Sequence, residues 1–301
     1  MKWWLKALLL VLVLVIVAGL FVFSQIRALT VEQITDDVHV ISGLGGNVGV
    51  LKTDKGTIII DTMTLQYQGK RIREEAEKLT GQEVVMIINT HYHLDHTHGN
   101  PAFEPGTRVV STARTLHHIQ TTDADYFSGE AAALLPNEVF DESHQVVLGN
   151  KTIKLFHTGR GHTDGDLVAF IVEDEVLHAG DLYFNQLYPN IDLEAGGSVQ
   201  AWGDTLGSIL EIPFVKVIPG HGAISGRKEL MQFQDFIRQL AHIGQKAANE
   251  DWNKEQTQAS TELTEDAGYG EISLIIPIGL NREFVLGRAW EETTGNFIRR
   301  D

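Results

Sequence analysis

From residue 91 the chain reads His91-Tyr92-His93-Leu94-Asp95-His96, three imidazoles and a carboxylate in six residues. Ligand-type side chains this dense must be brought together rather than dispersed, so any fold for this chain has to place them at one point. The apolar, β-branched run Val84-Val85-Met86-Ile87-Ile88-Asn89-Thr90 before them reads as a buried strand. The histidines therefore emerge at a strand's carboxyl end, where open α/β sheets bind ligands. Residues two apart on extended backbone share a face, so His91 and His93 can converge on one ion. A turn at Leu94 would send Asp95 and His96 toward a second. Imidazole with carboxylate suits zinc, and iron or manganese are also compatible. With 13 histidines in 301 residues, such a cluster is rarely an accident of composition.

Two ions need further ligands, and three more strand-to-loop junctions carry them. His162 lies in Gly159-Arg160-Gly161-His162-Thr163-Asp164, directly after the strand-like stretch Lys151 to His157. Asp181 closes the apolar run Val176-Leu177-His178-Ala179-Gly180, and His221 sits in Val217-Ile218-Pro219-Gly220-His221-Gly222. At each, a hydrophobic strand gives way to glycine, which lets backbone approach a metal without side-chain obstruction.

From Asp61 to His221 these residues resemble the metal motifs of the metallo-β-lactamase superfamily, in its β-lactamase-like and glyoxalase II-like branch, and the resemblance covers most of the chain beyond its N-terminal segment. It implies a four-layer αββα sandwich, an α/β (α+β) architecture with the metals at one edge between two sheets. It further implies that His91, His93 and His162 hold one Zn2+, that Asp95, His96 and His221 hold another, and that Asp181 bridges them. Asp61, at the end of Thr57-Ile58-Ile59-Ile60, matches an early aspartate that supports the histidine loop without ligating metal.

What the resemblance implies chemically is a dinuclear zinc hydrolase for a small-molecule substrate. A water bridging two ions has its pKa lowered from near 16 toward roughly 7, so hydroxide is available at neutral pH without a serine or cysteine nucleophile. Asp95 would both ligate and orient that hydroxide and accept its proton, making it the catalytic residue. The bond opened is a carbonyl C–N, ester or thioester bond. In the β-lactamases of this pattern the bridging position is a cysteine, and a lysine three residues beyond it pairs with the drug's carboxylate. Here those positions hold Asp181 and Phe184. The aspartate is similar to that of hydroxyacylglutathione hydrolases, so a glyoxalase II-like thioesterase is the alternative. A non-catalytic metal-binding protein of the same fold is a third reading, which the retention of all seven ligands disfavours.

Asp181-Leu182-Tyr183-Phe184-Asn185-Gln186-Leu187-Tyr188-Pro189-Asn190 is aromatic and a candidate pocket wall, in which Tyr183, Phe184 and Tyr188 could pack an apolar group. Asp125-Tyr126-Phe127, Leu134-Leu135-Pro136 and Gln200-Ala201-Trp202 could overhang the same site. His98 reads as a packing or helix-capping residue and His178 as a hydrogen-bonded core histidine.

The N-terminus stands apart. Lys2 and Lys6 precede an unbroken run of 17 apolar residues, Ala7 to Phe23, followed by Ser24-Gln25-Ile26-Arg27. Residues 1–27 are therefore expected to be a signal anchor, a transmembrane helix that is not cleaved, with a cleaved signal peptide as the alternative. Basic residues ahead of the run favour a cytoplasmic N-terminus, which leaves the catalytic domain outside the cytoplasm on the periplasmic side. Without residues 1–27 the chain has 21 Lys and Arg against 40 Asp and Glu, a net charge of −19. Nucleic acid is thus not an expected partner.

The rest divides into an expected catalytic domain over 30–250 and a helical appendage over 251–301. Val31 to Asp61 reads as a β-meander with a turn at Gly43-Leu44-Gly45-Gly46, and Gln68 to Leu79 as a helix stopped by Gly81. A second α/β portion is expected from about Arg108 to His221, closed by a helix over Ser225 to Ala248. The apolar stretch Ile272 to Pro277 is assigned to the appendage.

Overall fold

The computed structural model describes residues 3–272 and 278–300. Helix α1 (Trp3–Arg27) opens the chain, and its segment Leu9–Arg27 is long and apolar enough to cross a membrane. Ala28 alone separates it from β1 (Leu29–Gln33), which begins an antiparallel meander with β2 (Val38–Gly43), β3 (Asn47–Thr53) and β4 (Gly56–Ile60). Helix α2 (Gln66–Thr80) crosses to β5 (Val84–Ile88), which runs parallel to β4. Gly81 ends α2 in the left-handed conformation, φ 72°, that favours glycine. After the short α3 (Leu94–Thr97), the parallel strands β6 (Arg108–Thr112) and β7 (Glu138–Phe140), joined through α4 (Ala113–Thr122), complete a seven-stranded sheet in sequence order.

The second sheet has five strands in the order β12-β11-β10-β9-β8. They are β8 (Ser143–Leu148), β9 (Lys151–Phe156), β10 (Val168–Ile171), β11 (Val176–Phe184) and, after α5 (Val199–Leu210), β12 (Lys216–His221). This sheet starts at Ser143, not near Arg108 as the sequence led us to expect. β6 and β7 extend the first sheet because each is added by a parallel crossover, and a crossover strand reads the same in either half. Helices α6 (Arg227–Asn249), α7 (Lys254–Gln258) and α8 (Arg282–Thr294) follow. Of the apolar stretch Ile272 to Pro277, only Ile272 falls within the described residues.

Three apolar layers explain the αββα stacking. Ile58 and Ile60 of β4 point into the space between the sheets, with Met86 and Ile88 of β5 against Ile153, Leu155, Ala169 and Ile218. Ile59, one residue out of phase, faces the other way and packs with Ile72 and Ala76 of α2. On the far side, Phe170 and Leu177 lie under Trp202 and Leu206 of α5, Phe233, Phe236 and Leu240 of α6, and Val285, Leu286 and Ala289 of α8. Each such buried side chain contributes about 1.5–3 kcal/mol. The carboxyl ends of β4, β5 and β12 and the middle of β11 come together, and the candidate ligands gather there.

Candidate metal centre

Asp61 follows β4 with φ 65°, a conformation that strains a residue bearing a Cβ, and is almost fully buried. Its Oδ1 accepts from the Thr90 amide (2.8 Å) and its Oδ2 from Thr90 Oγ1 (2.7 Å) and His96 Nδ1 (2.8 Å). A carboxylate can only accept, so His96 carries its proton on Nδ1 and turns a bare Nε2 inward. The Thr90 hydroxyl, having donated to Asp61, accepts from His91 Nδ1 at 3.1 Å, leaving His91 Nε2 bare as well.

Two further acceptors orient the other imidazoles. His162 Nδ1 donates to the Asn190 carbonyl (2.9 Å) and His93 Nε2 to Asp192 Oδ2 (3.0 Å). His162 Nε2 and His93 Nδ1, both without a proton in that arrangement, then face each other at 2.7 Å. Two lone pairs at that separation repel unless a cation or a proton lies between them. Asp192 is itself held by the Tyr92 hydroxyl and the Ala195 amide. Burial, then repulsion from His93, lowers the His162 pKa to about 4, and burial holds His91 well below the usual imidazole range. Neutral imidazole is the form that ligates metal.

Asp181 stands between the two sets. Its Oδ2 lies 3.5 Å from His162 Nε2 and 3.8 Å from His91 Nε2, while its Oδ1 lies 3.2 Å from His96 Nε2 and 3.5 Å from His221 Nε2. Asp95 Oδ2 is 3.2 Å from His221 Nε2 and 3.5 Å from His96 Nε2. The ligand atoms form two groups, His91, His93, His162 and Asp181, and Asp95, His96 and His221, each within 4.8 Å. Asp181 does not close its strand as the sequence implied, since β11 continues to Phe184. Register shifts on either side of Gly180, with φ 51° there, bend the strand so that a mid-strand side chain reaches the edge. A Cβ at Gly220 on the neighbouring strand would fall 1.9 Å from Asp181 Oδ1, so only glycine admits the carboxylate.

These residues fit a pair of metal ions. His91 Nε2, His96 Nε2 and Asp181 Oδ1 are buried polar atoms without a hydrogen-bond partner, and all three point into the cluster. Unsatisfied buried groups are costly and rare in folded proteins, and here cations would satisfy all three at once. The donor set, imidazole and carboxylate with no thiolate, is that of zinc and related divalent ions.

Around the cluster the sequence reading was partly right. Phe184 stacks on His221 with ring centroids 5.2 Å apart and lines the cavity beside the metals. Tyr183 and Tyr188 do not, because Tyr183 bonds Ser225 in the core and Tyr188 bonds Asp266. Trp202 is wholly buried with its Nε1 donating to the Leu182 carbonyl, and Tyr126 stacks on His98 at 3.7 Å. His178 donates to the Asn47 carbonyl (3.2 Å) and accepts from the Gly180 amide (3.2 Å), a core histidine as read. Asp192 was not found from sequence, and Asn190 was found as the end of the candidate wall, which it does line, but not as the partner of His162. They lie in a loop about thirty residues past His162 that carries no ligand motif of its own.

Residues 41–221 match the family described as the metallo-beta-lactamase superfamily. The type 2 metallo-beta-lactamase of Bacillus sp. (strain 170) is 24% identical over 226 residues, 71% of this chain and 84% of that one. The type 2 enzyme of Elizabethkingia meningoseptica is 25% identical over 261 residues, 83% and 98% respectively. Among solved structures, a metallo-beta-lactamase from Pontibacter korlensis superposes with a TM-score of 0.62 and 19% identity over 70% of this chain and 99% of its own. A stereoselective inverting sec-alkylsulfatase from Pseudomonas sp. superposes with a TM-score of 0.73 and 14% identity over 90% of this chain and 51% of its own. Because the family match runs from within β2 to the last residue of β12, every ligand candidate from His91 to His221 falls inside it, and the chain belongs to the metallo-β-lactamase superfamily of metal-dependent hydrolases.

Proposed function

We propose that the seven residues hold two Zn2+ ions and that the enzyme opens a carbonyl C–N, ester or thioester bond of a small molecule. The observation that carries this is the placement of Asp181, one oxygen toward His91 and His162 and the other toward His96 and His221. Bound there, the ions supply Lewis acidity and ionised water at neutral pH. The chain's part is to hold them at a fixed spacing and to present a base. Asp95 is that base. Its side chain is 27% exposed and lines the cavity, whereas Asp181 is buried. Burial works against its charge, but without metal the His96 and His221 imidazoliums hold its carboxyl well below the usual range, and bound cations would take over that role, so it is ionised and able to accept the proton that water gives up. The hydroxyl goes to the acyl carbon and the proton is passed to the leaving atom.

Lactam opening is the first reaction to try, since the two sequence relatives named above are lactamases. Thioester hydrolysis is the second, favoured by an aspartate at position 181. Steady-state hydrolysis of a chromogenic cephalosporin and of S-lactoylglutathione, with Asp95→Ala as control, separates them. Turnover of either that the control abolishes supports the reading, and turnover unaffected by Asp95→Ala would remove Asp95 from the mechanism.

The same reading makes residues 1–27 an uncleaved anchor that keeps residues 30–250, the catalytic domain, at the outer face of a membrane, with 251–301 as an appendage packed against it. It rests on the length of α1 and on Lys2 and Lys6 ahead of the apolar run. Carbonate extraction of membranes should leave the protein in the pellet, and release into the wash would overturn the anchor.

A further inference from the structure

The cavity over the metal cluster, about 280 Å³, is walled by five apolar side chains, Leu94, Phe184, Ile272, Ile278 and Leu280. Thr64 and Asn190 are its uncharged polar members, and among the described residues those of its lining that ionise are all metal-ligand candidates. Among the described residues no lysine or arginine lines it. Leu94 and Ile278 are 47% and 45% exposed, so the apolar surface continues to the mouth.

Cations do occur nearby, in an adjoining recess among acidic side chains, and are not part of the cavity lining. Arg288 pairs with Glu194 and with Glu291 (2.7 Å), and Arg300 Nη1 lies 3.3 Å from the Tyr92 hydroxyl beside Asp123, Asp192 and Glu194. With 40 acidic against 24 basic residues, the field around the protein also repels anions.

We propose that this cavity takes the apolar acyl chain of the substrate, the carbonyl lying over the metal cluster and the chain between Leu94, Ile278 and Leu280, whatever charge the leaving group carries. Substrates carrying a carboxylate at that end are rejected, because no cation among the described wall residues repays its desolvation. Each methylene buried there is worth roughly fourfold in affinity. The proposal rests on the metal-centre reading above, and the experiment separates the two.

Hexanohydroxamic acid and the monohydroxamate of adipic acid chelate zinc through the same head and differ in an apolar or an anionic tail. Titrated calorimetrically into the zinc-loaded full-length protein in phosphatidylcholine nanodiscs, the first should bind at least tenfold tighter. Ile278→Lys, at an exposed position remote from the ligands in sequence, should cut that ratio at least fivefold, and Leu94→Lys should do the same. Equal or tighter binding of the anionic probe, or a ratio unmoved by both substitutions, would overturn the proposal. Failure of the metal-centre reading looks different, since then neither hydroxamate would bind.

Discussion

His91, His93 and His162 are each fixed from the ring edge that faces away from the cluster, by Thr90, Asp192 and Asn190. In the other group only His96 has such a partner, Asp61, among the described residues; His221 is steadied by stacking on Phe184, and Asp95 is partly open to the cavity. The first group is thus set rigidly before any ion arrives, while the second keeps the freedom and access that a substrate needs. Preorganised ligands hold metal more tightly than ligands that must be ordered on binding. The two groups should therefore differ in affinity although they share Asp181.

The strongest attack on this picture is Asp181→Ala, which removes the shared carboxylate. Metal content by mass spectrometry should fall below two ions per chain and hydrolysis should drop by about 10³-fold or more. Two tightly held ions in that variant would refute the bridging role. Gly220→Ala tests the same carboxylate from outside, since its methyl group would displace Oδ1, and a loss of about 10²-fold in turnover is expected. Full activity with an unmoved Asp181 in a crystal of the variant would show that the neighbouring strand yields.

Asp61→Asn and Asp192→Asn sharpen the contrast, because each should weaken metal binding by about 10–100-fold but over different ligands. In zinc titrations, Asp192→Asn should act on the stronger site alone, whereas Asp61→Asn should act on both, through His96 directly and through the Thr90 hydroxyl that holds His91. If the two variants give the same profile, the groups are not separately held. Tyr183→Phe is the smallest change, expected to cost about 1 kcal/mol of stability through its bond to Ser225, with unaltered zinc stoichiometry. A lost ion there would mean the core beneath β11 shapes the cluster after all.

How much of this could be read from the chain depended on whether the residues that cooperate are neighbours in sequence. The motif at 91–96 is contiguous because a single strand-to-turn junction serves both groups. His162, His221 and Asp181 stand alone, but each is marked by apolar residues running into glycine. Asp192 carries no such mark, since what recruits it is the position of His93 across the fold. Tyr183 was assigned to the wall but packs its ring on Phe233 and bonds Ser225, while Phe184 reaches His221, in a strand whose phase is set by the bulge at Gly180. Nothing local in the sequence announces that bulge. The sandwich itself was legible, apart from which sheet receives β6 and β7.

Ala28 is the whole of the connection between α1 and β1, and the end of the helix is held as well, with Phe23 against Tyr67 and Arg71 donating to the Arg27 carbonyl. Tyr67 lies in the first turn of α2, three residues past Thr64 of the cavity wall. If α1 is the anchor proposed above, a helix so attached would leave no slack for the domain to tumble on a tether. The height and facing of the cavity above the lipid would then be set by the fold, and meeting a substrate would become a search over an area rather than through a volume.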